Sequence, residues 1–98
     1  MNVFRFDGFD WDEGNFAKCQ KHGVSSSEIE NLFYCEPLIG PNPNIETEER
    51  FRAIGRIENG RHVFAVFTFR EVESKRLIRP ISARFMHSKE VNHYEKIR

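Results

Sequence analysis

The chain has little that would staple it, span a membrane or tether it. Only two cysteines, Cys19 and Cys35, occur in 98 residues, one inside a helical pattern and one just after another. Their spacing writes in no disulfide framework. No apolar run approaches the roughly 18 residues of a membrane span. The opening Met-Asn-Val-Phe-Arg-Phe-Asp has neither the basic start nor the apolar stretch of a secretory signal. A soluble, unexported, cytoplasmic protein with reduced thiols is expected. Net charge is also missing: 15 Lys and Arg balance 15 Asp and Glu, which excludes nucleic-acid binding driven by bulk charge. There is no nucleophile elbow, phosphate loop or His-Glu-x-x-His pair, so no cofactor is expected. Cys19-x-x-His22 has half a zinc spacing but no second pair to complete it, so no metal is expected either.

What is present is enough apolar surface, 39% of residues with ten phenylalanines, for one domain over residues 1–98. The charge, zero on average, is unevenly distributed. Residues 1–49 hold three Lys/Arg against ten Asp/Glu, and residues 50–98 hold twelve against five, giving about −7 and +7. A chain divided in this way can offer a basic face to phosphate. Alternatively, the two sets interleave on folding as solvated surface.

Local signals give the elements. Val3-Phe4-Arg5-Phe6 alternates like a strand. Asp10 or Asp12 can cap a helix to about His22, with Gly23 as its stop. Ser25 with Glu28 makes a capping box, Val24 and Ile29 a hydrophobic staple, and Pro37 confines this second helix to about residues 26–34. Residues 36–48, with three prolines, read as a long loop. Asn59-Gly60 signals a hairpin with a type I′ turn between strands at about 50–57 and 61–71. A third strand covers about 76–85, where Pro80 requires an edge or a bulge. Residues 87–98 form a helix capped by Ser88, with Val91, Tyr94 and Ile97 inward. The order β-α-α-β-β-β-α predicts an α+β fold, an antiparallel sheet with helices packed against it.

The candidate chemistry is a set of cations with one carboxylate. Lys21 and His22 end the first helix, Glu49 and Arg50 start a strand, Arg70 and Arg84 lie on strands, and Tyr94 lies on the last helix. Each has a plain structural alternative. Trp11 and Tyr94 suit a core, Glu49-Arg50 an ion pair, and His22 a helix C-terminus, where its charge favours the dipole. Residue type and spacing do not choose between these readings.

Three stretches, "FDWDEGNFAKCQKHGVSSSEIENLF", "EERFRAIGRIENGR" and "RPISARFMHSKEVNHYE", resemble the BrnT family of type II toxin-antitoxin ribonucleases. The Trp-Asp, Lys-His-Gly-Val, Glu-Arg, Ile-Gly and Ile-Ser-Ala-Arg elements occur in the family's order. The resemblance implies a RelE-like fold and an RNA-cleaving, translation-blocking toxin. It further implies neutralisation by a BrnA-like ribbon-helix-helix antitoxin in a 2:2 complex that reaches operator DNA through the antitoxin. The motif positions fall on Trp11, Lys21, His22, Glu49, Arg50, Arg84 and Tyr94. Cleavage of RNA needs a base for the 2′-hydroxyl, cations around the phosphorane and an acid for the departing oxygen. On that basis Lys21, His22, Glu49, Arg50 and Arg84 are the catalytic candidates, and Trp11, Arg70 and Tyr94 the substrate-binding ones. Many family members carry asparagine three residues before the Lys-His pair, where this chain has Lys18. A second reading keeps the fold without catalysis, as a corepressor that works with its DNA-binding partner.

Overall fold

The computed structural model describes residues 5–43 and 49–98. Along the chain run β1 (Gly8–Phe9), α1 (Glu13–Cys19), α2 (Ser26–Tyr34), β2 (Leu38–Pro41), β3 (Phe51–Arg56), β4 (His62–Val72), β5 (Lys75–Phe85) and α3 (Ser88–Ile97). Among the described residues the strands form one sheet in the order β1-β5-β4-β3-β2, parallel at β1/β5 and antiparallel elsewhere. The expected α+β layering is present, with one strand more than the sequence reading gave.

Of the expected first strand, Val3 and Phe4 lie outside the described residues, and Arg5 and Phe6 are not strand. The chain instead pairs with β5 slightly later, where the Asp7 and Asp10 amides donate to the Arg76 and Ile78 carbonyls at 2.7 and 2.8 Å. Helix α1 begins as expected at Asp12, whose carboxylate accepts the Asn15 amide, but it ends at Cys19 rather than His22. The reason is geometric. Cys19 and Val24 are both fully buried, yet residues five apart on a helix point about 140° away from each other. The chain must leave the helix to bury both, and Gly23 (φ 88°) makes the turn. Helix α2 spans the predicted residues, with Ser25 and Glu28 bonded reciprocally at 3.1 and 3.0 Å.

Residues 38–41 of the expected loop form an edge strand; residues 44–48 of that loop lie outside the described residues. Asn42 donates to the Arg50 carbonyl at 2.9 Å, and Gly40 and Leu38 oppose Arg52 and Ile54. By the alternation of an antiparallel ladder, residues 37, 39, 41 and 43 turn their backbone groups outward. Three of those four are proline, which has no N–H to leave unsatisfied.

The hairpin at Asn59-Gly60 is present, but its turn is not the expected type I′. At Asn59-Gly60 only Gly60 has positive φ, at 90°. Ile57 and Arg61 bond across the turn, as do Gly60 and Ile57, both at 2.9 Å. That is the three-residue loop of a type I turn closed by a left-handed glycine. The two-residue turn with both φ positive occurs instead at Glu73 (50°) and Ser74 (69°). Pro80 sits in an interior strand, at the bulge where Phe67 pairs with Pro80 and Val66 with Ser82, leaving Ile81 unopposed. In α3, His87 rather than Ser88 is the N-cap, its amide donating to Glu90 at 2.8 Å. Tyr94 is buried, but Ile97 is 54% exposed.

Alternation assigns the two faces of the sheet. Ala53, Val63, Ala65, Phe67, Ile78 and Ala83 line one, buried with Cys19, Val24, Ile29, Leu32 and Phe33 from the α1–α2 layer. The contact of Phe33 with Phe67, at 4.9 Å between centroids and 81°, seats α2 on it. The other face carries the arginines.

Candidate functional site

The second face is laid out by register. Phe64 of β4 stands between Ile54 of β3 and Arg84 of β5; the next row is Arg52, Val66 and Ser82; at the ends lie Arg56 beside His62 and Thr68 beside Arg79. Ile54, Phe64 and Val66 are half-buried, so the face has an apolar floor, and Arg52 and Arg56 at its rim are exposed. Among the described residues, α3 meets this face through Glu90 on Arg84 and through Tyr94 and Glu95 on His62, at the end where β4 begins.

At that end the contacts are polar. Arg84 makes two bonds to the Glu90 carboxylate, at 2.7 and 2.9 Å, with its guanidinium carbon 4.5 Å above the Phe64 ring. The Arg84 hydrogen bonds, with the His87 amide, hold the Glu90 carboxyl at about 2, far below its usual value. Nε2 of His62 lies 2.6 Å from Oε2 of Glu95, and its ring meets Tyr94 edge-on at 5.7 Å. Oε1 of the same glutamate takes Arg98 at 2.9 Å. The Glu95 carboxyl is lowered by the His62 hydrogen bond first, with Arg98 and Arg56 adding charge. At the opposite end Arg70 and Arg79 share one oxygen of Asp10, each at 3.2 Å, and Arg79 reaches Asp12 at 2.8 Å. Part of the acidic half thus folds onto the basic half. The Asp12 carboxyl is lowered by the Asn15 backbone amide and then by Arg79.

The expected site residues divide between the layers. Lys21 and His22 are exposed on the turn after α1, within the helical layer, because Cys19 and Val24 on either side of them are core. Trp11 also belongs there: its indole N–H donates to Glu30 at 2.8 Å and its ring meets Phe16 edge-on at 5.9 Å. Arg70 and Arg84 lie on the arginine face. Glu49 and Arg50 lead into β3 at its Thr68 end, where the Thr68 hydroxyl donates to the Glu49 carbonyl at 2.8 Å. Tyr94, 5% exposed, is enclosed beneath α3 against His62. Folding therefore places Arg84 and Tyr94 at one end of the arginine face through separate partners, Glu90 and His62, and Glu49, Arg50 and Arg70 toward the other end, but keeps Lys21, His22 and Trp11 across the sheet from them.

Sequence reasoning passed over Arg52, Arg56, Arg79 and His62. Their signal was parity: Arg52, Ile54 and Arg56 alternate within one strand, and His62 shares the phase of Phe64 and Val66. Cys19, the sulfur of the half zinc spacing, is fully buried, and burial pushes its thiol up to about 11. No helix among the described residues is long and apolar enough to cross a membrane.

No curated protein matches the chain. A family model does, over residues 11–90, described as the ribonuclease toxin BrnT of type II toxin-antitoxin systems. That stretch contains both ends of the arginine face and the whole helical layer, and it covers most of the 98 residues. The chain is therefore a member of the BrnT toxin family.

Proposed function

We propose that the chain is the RNA-cleaving toxin of a type II toxin-antitoxin pair, and that RNA lies on the open sheet face. The observation that carries this reading is the arrangement of Ile54, Phe64 and Val66 as an apolar floor rimmed by Arg52, Arg56, Arg79 and Arg84, all within the family match. Guanidinium groups suit the equatorial oxygens of a phosphorane, and a flat apolar floor suits an unpaired base. The reaction is metal-independent transesterification. The 2′-hydroxyl is the internal nucleophile, and arginine charge stabilises the pentavalent phosphorus.

The finer reading follows from the resemblance. The layering is consistent with a RelE-like fold. The toxin acts in the cytoplasm, blocks translation, and is held by a BrnA-like ribbon-helix-helix antitoxin in a 2:2 complex that contacts operator DNA through the antitoxin. Arg84, and Arg50 with Glu49 and Arg70 at the far end, serve cleavage and binding on the face. Lys21 and His22, across the sheet, serve as outlying phosphate contacts.

The test is purified protein with end-labelled RNA in chelator. Cleavage is expected, with Arg84→Ala slower by about 100-fold, the size seen when one preorganised stabilising group is lost. Lys21→Ala with His22→Ala should cost less than about tenfold, as screened surface contacts do. Intact RNA with the unmodified protein, with or without divalent metal, rules the function out. A larger loss in the Lys21/His22 pair than in Arg84→Ala moves the site to the helical layer.

A further inference from the structure

We propose that His62, backed by Glu95, is the proton acceptor for the 2′-hydroxyl on the open face, an inference that rests on the reading of the chain as an RNA-cleaving protein. The family motif points instead to His22, which is exposed on the opposite layer, as are His87 and His93 on the surface of the α3 segment. His62 differs from all three. Its side chain is only 16% exposed, it shares the face of Phe64, and it is bonded to a carboxylate.

That bond settles the tautomer. Glu95 is ionised, its carboxyl lowered by this hydrogen bond and by Arg98 and Arg56, so it can only accept. Nε2 must therefore carry a hydrogen, so that in the neutral form of the ring Nδ1 is the basic nitrogen. The carboxylate is itself held on both oxygens, by His62 at 2.6 Å and Arg98 at 2.9 Å. A base oriented by a fixed anion is the arrangement that favours formation of imidazolium during proton transfer. The charged and titratable groups around the ring are Glu95 and Tyr94 from α3, Arg98 just beyond it, Arg56 opposite His62 on β3, and Arg84 with its Glu90 partner one row along the face. The ring therefore stands between two arginines whose charge suits a phosphate.

In the step, the 2′-oxygen gives its proton to Nδ1 and forms a bond to phosphorus. The bond from phosphorus to the 5′-oxygen breaks, its electron pair staying on that oxygen, which takes a proton from water. Imidazolium returns its proton to solvent. One linkage becomes a 2′,3′-cyclic phosphate and a 5′-hydroxyl, with no co-reactant consumed.

A purely structural role would be to pin α3 through the ring contact with Tyr94, so the decisive variant keeps the ring. His62→Phe preserves an aromatic partner for Tyr94 and removes the base. With purified protein and labelled RNA, His62→Phe is expected to keep its thermal unfolding midpoint and lose about 100-fold in rate, within the usual contribution of a general base. The acid limb of the pH–rate profile should vanish with it. In Glu95→Gln the limb should move to lower pH, since a neutral amide no longer favours imidazolium. Added imidazole should restore cleavage to His62→Ala. If unmodified protein and His62→Phe cleave equally, with the same pH profile, this proposal is overturned while the ribonuclease reading stands. If the unmodified protein does not cleave, both fall together.

Discussion

A single buried amide, Asn15, joins three segments of the chain. Its Nδ2 donates to the carbonyls of Asp10 and Pro80, both at 2.9 Å, and its Oδ1 accepts the Asp12 amide at 2.7 Å. One side chain thus closes the helix cap, fixes the approach from β1 and satisfies the carbonyl exposed by the bulge in β5. Asn15→Ala should lower stability by about 1–3 kcal/mol, the cost of leaving buried polar groups unpaired, measured by chemical denaturation. Asn15→Asp keeps the shape and the acceptor but sets a carboxylate against two carbonyl oxygens, so it should do at least as much damage. None of this was legible in the sequence. Two of the three partners are backbone carbonyls, one of them 65 residues away, and asparagine near the start of a helix otherwise signals only a weak helix former. The Arg84–Glu90 pair was hidden for a related reason, since pattern reading does not show that the start of α3 returns over the strand that precedes it.

Elements whose ends are set by neighbours in sequence were readable. Helix α2 came out residue for residue because its capping box, staple and following proline all act within a few positions. Helix α1 was read too long because what ends it is tertiary, the need to bury Cys19 and Val24 together. The hairpin at Asn59-Gly60 was placed correctly and given the wrong turn, because a lone left-handed glycine and a pair of positive φ values share the same dipeptide signal. The packing of α2 on β3 was also invisible, yet it has a sharp limit. A Cβ added at Gly55 would lie 3.1 Å from Cδ1 of Leu32 and 3.4 Å from the Pro37 Cα. Leu32 can shift slightly, whereas the Pro37 backbone is held. Gly55→Val should therefore push α2 off the strand and cost about 1–3 kcal/mol by overpacking, seen as a lower denaturation midpoint. A substitution at Gly40, where nothing lies within 4 Å of an added Cβ, is the matching control and should change the midpoint far less.

At the scale of the molecule, the parity of β3 and β4 told which residues share a face, but not which distant residues meet. The Lys-His pair and Arg84 belong to one motif series in sequence and to opposite sides of a sheet in space. The prolines of residues 36–48 carried a message that a loop reading discards: at 37, 41 and 43 they fall on one parity, all on the outer rim of β2. Pro41→Val would restore an outward N–H beside that of Ile39 and lengthen the run of bonding groups. It should cause concentration-dependent association, visible by sedimentation, where the parent chain shows none through this edge. With prolines at 37, 41 and 43, the β2 rim offers a visiting strand few outward N–H groups. A partner that avoids this rim and grips side chains on the arginine face would, on the proposed reading, occupy the ground that RNA needs.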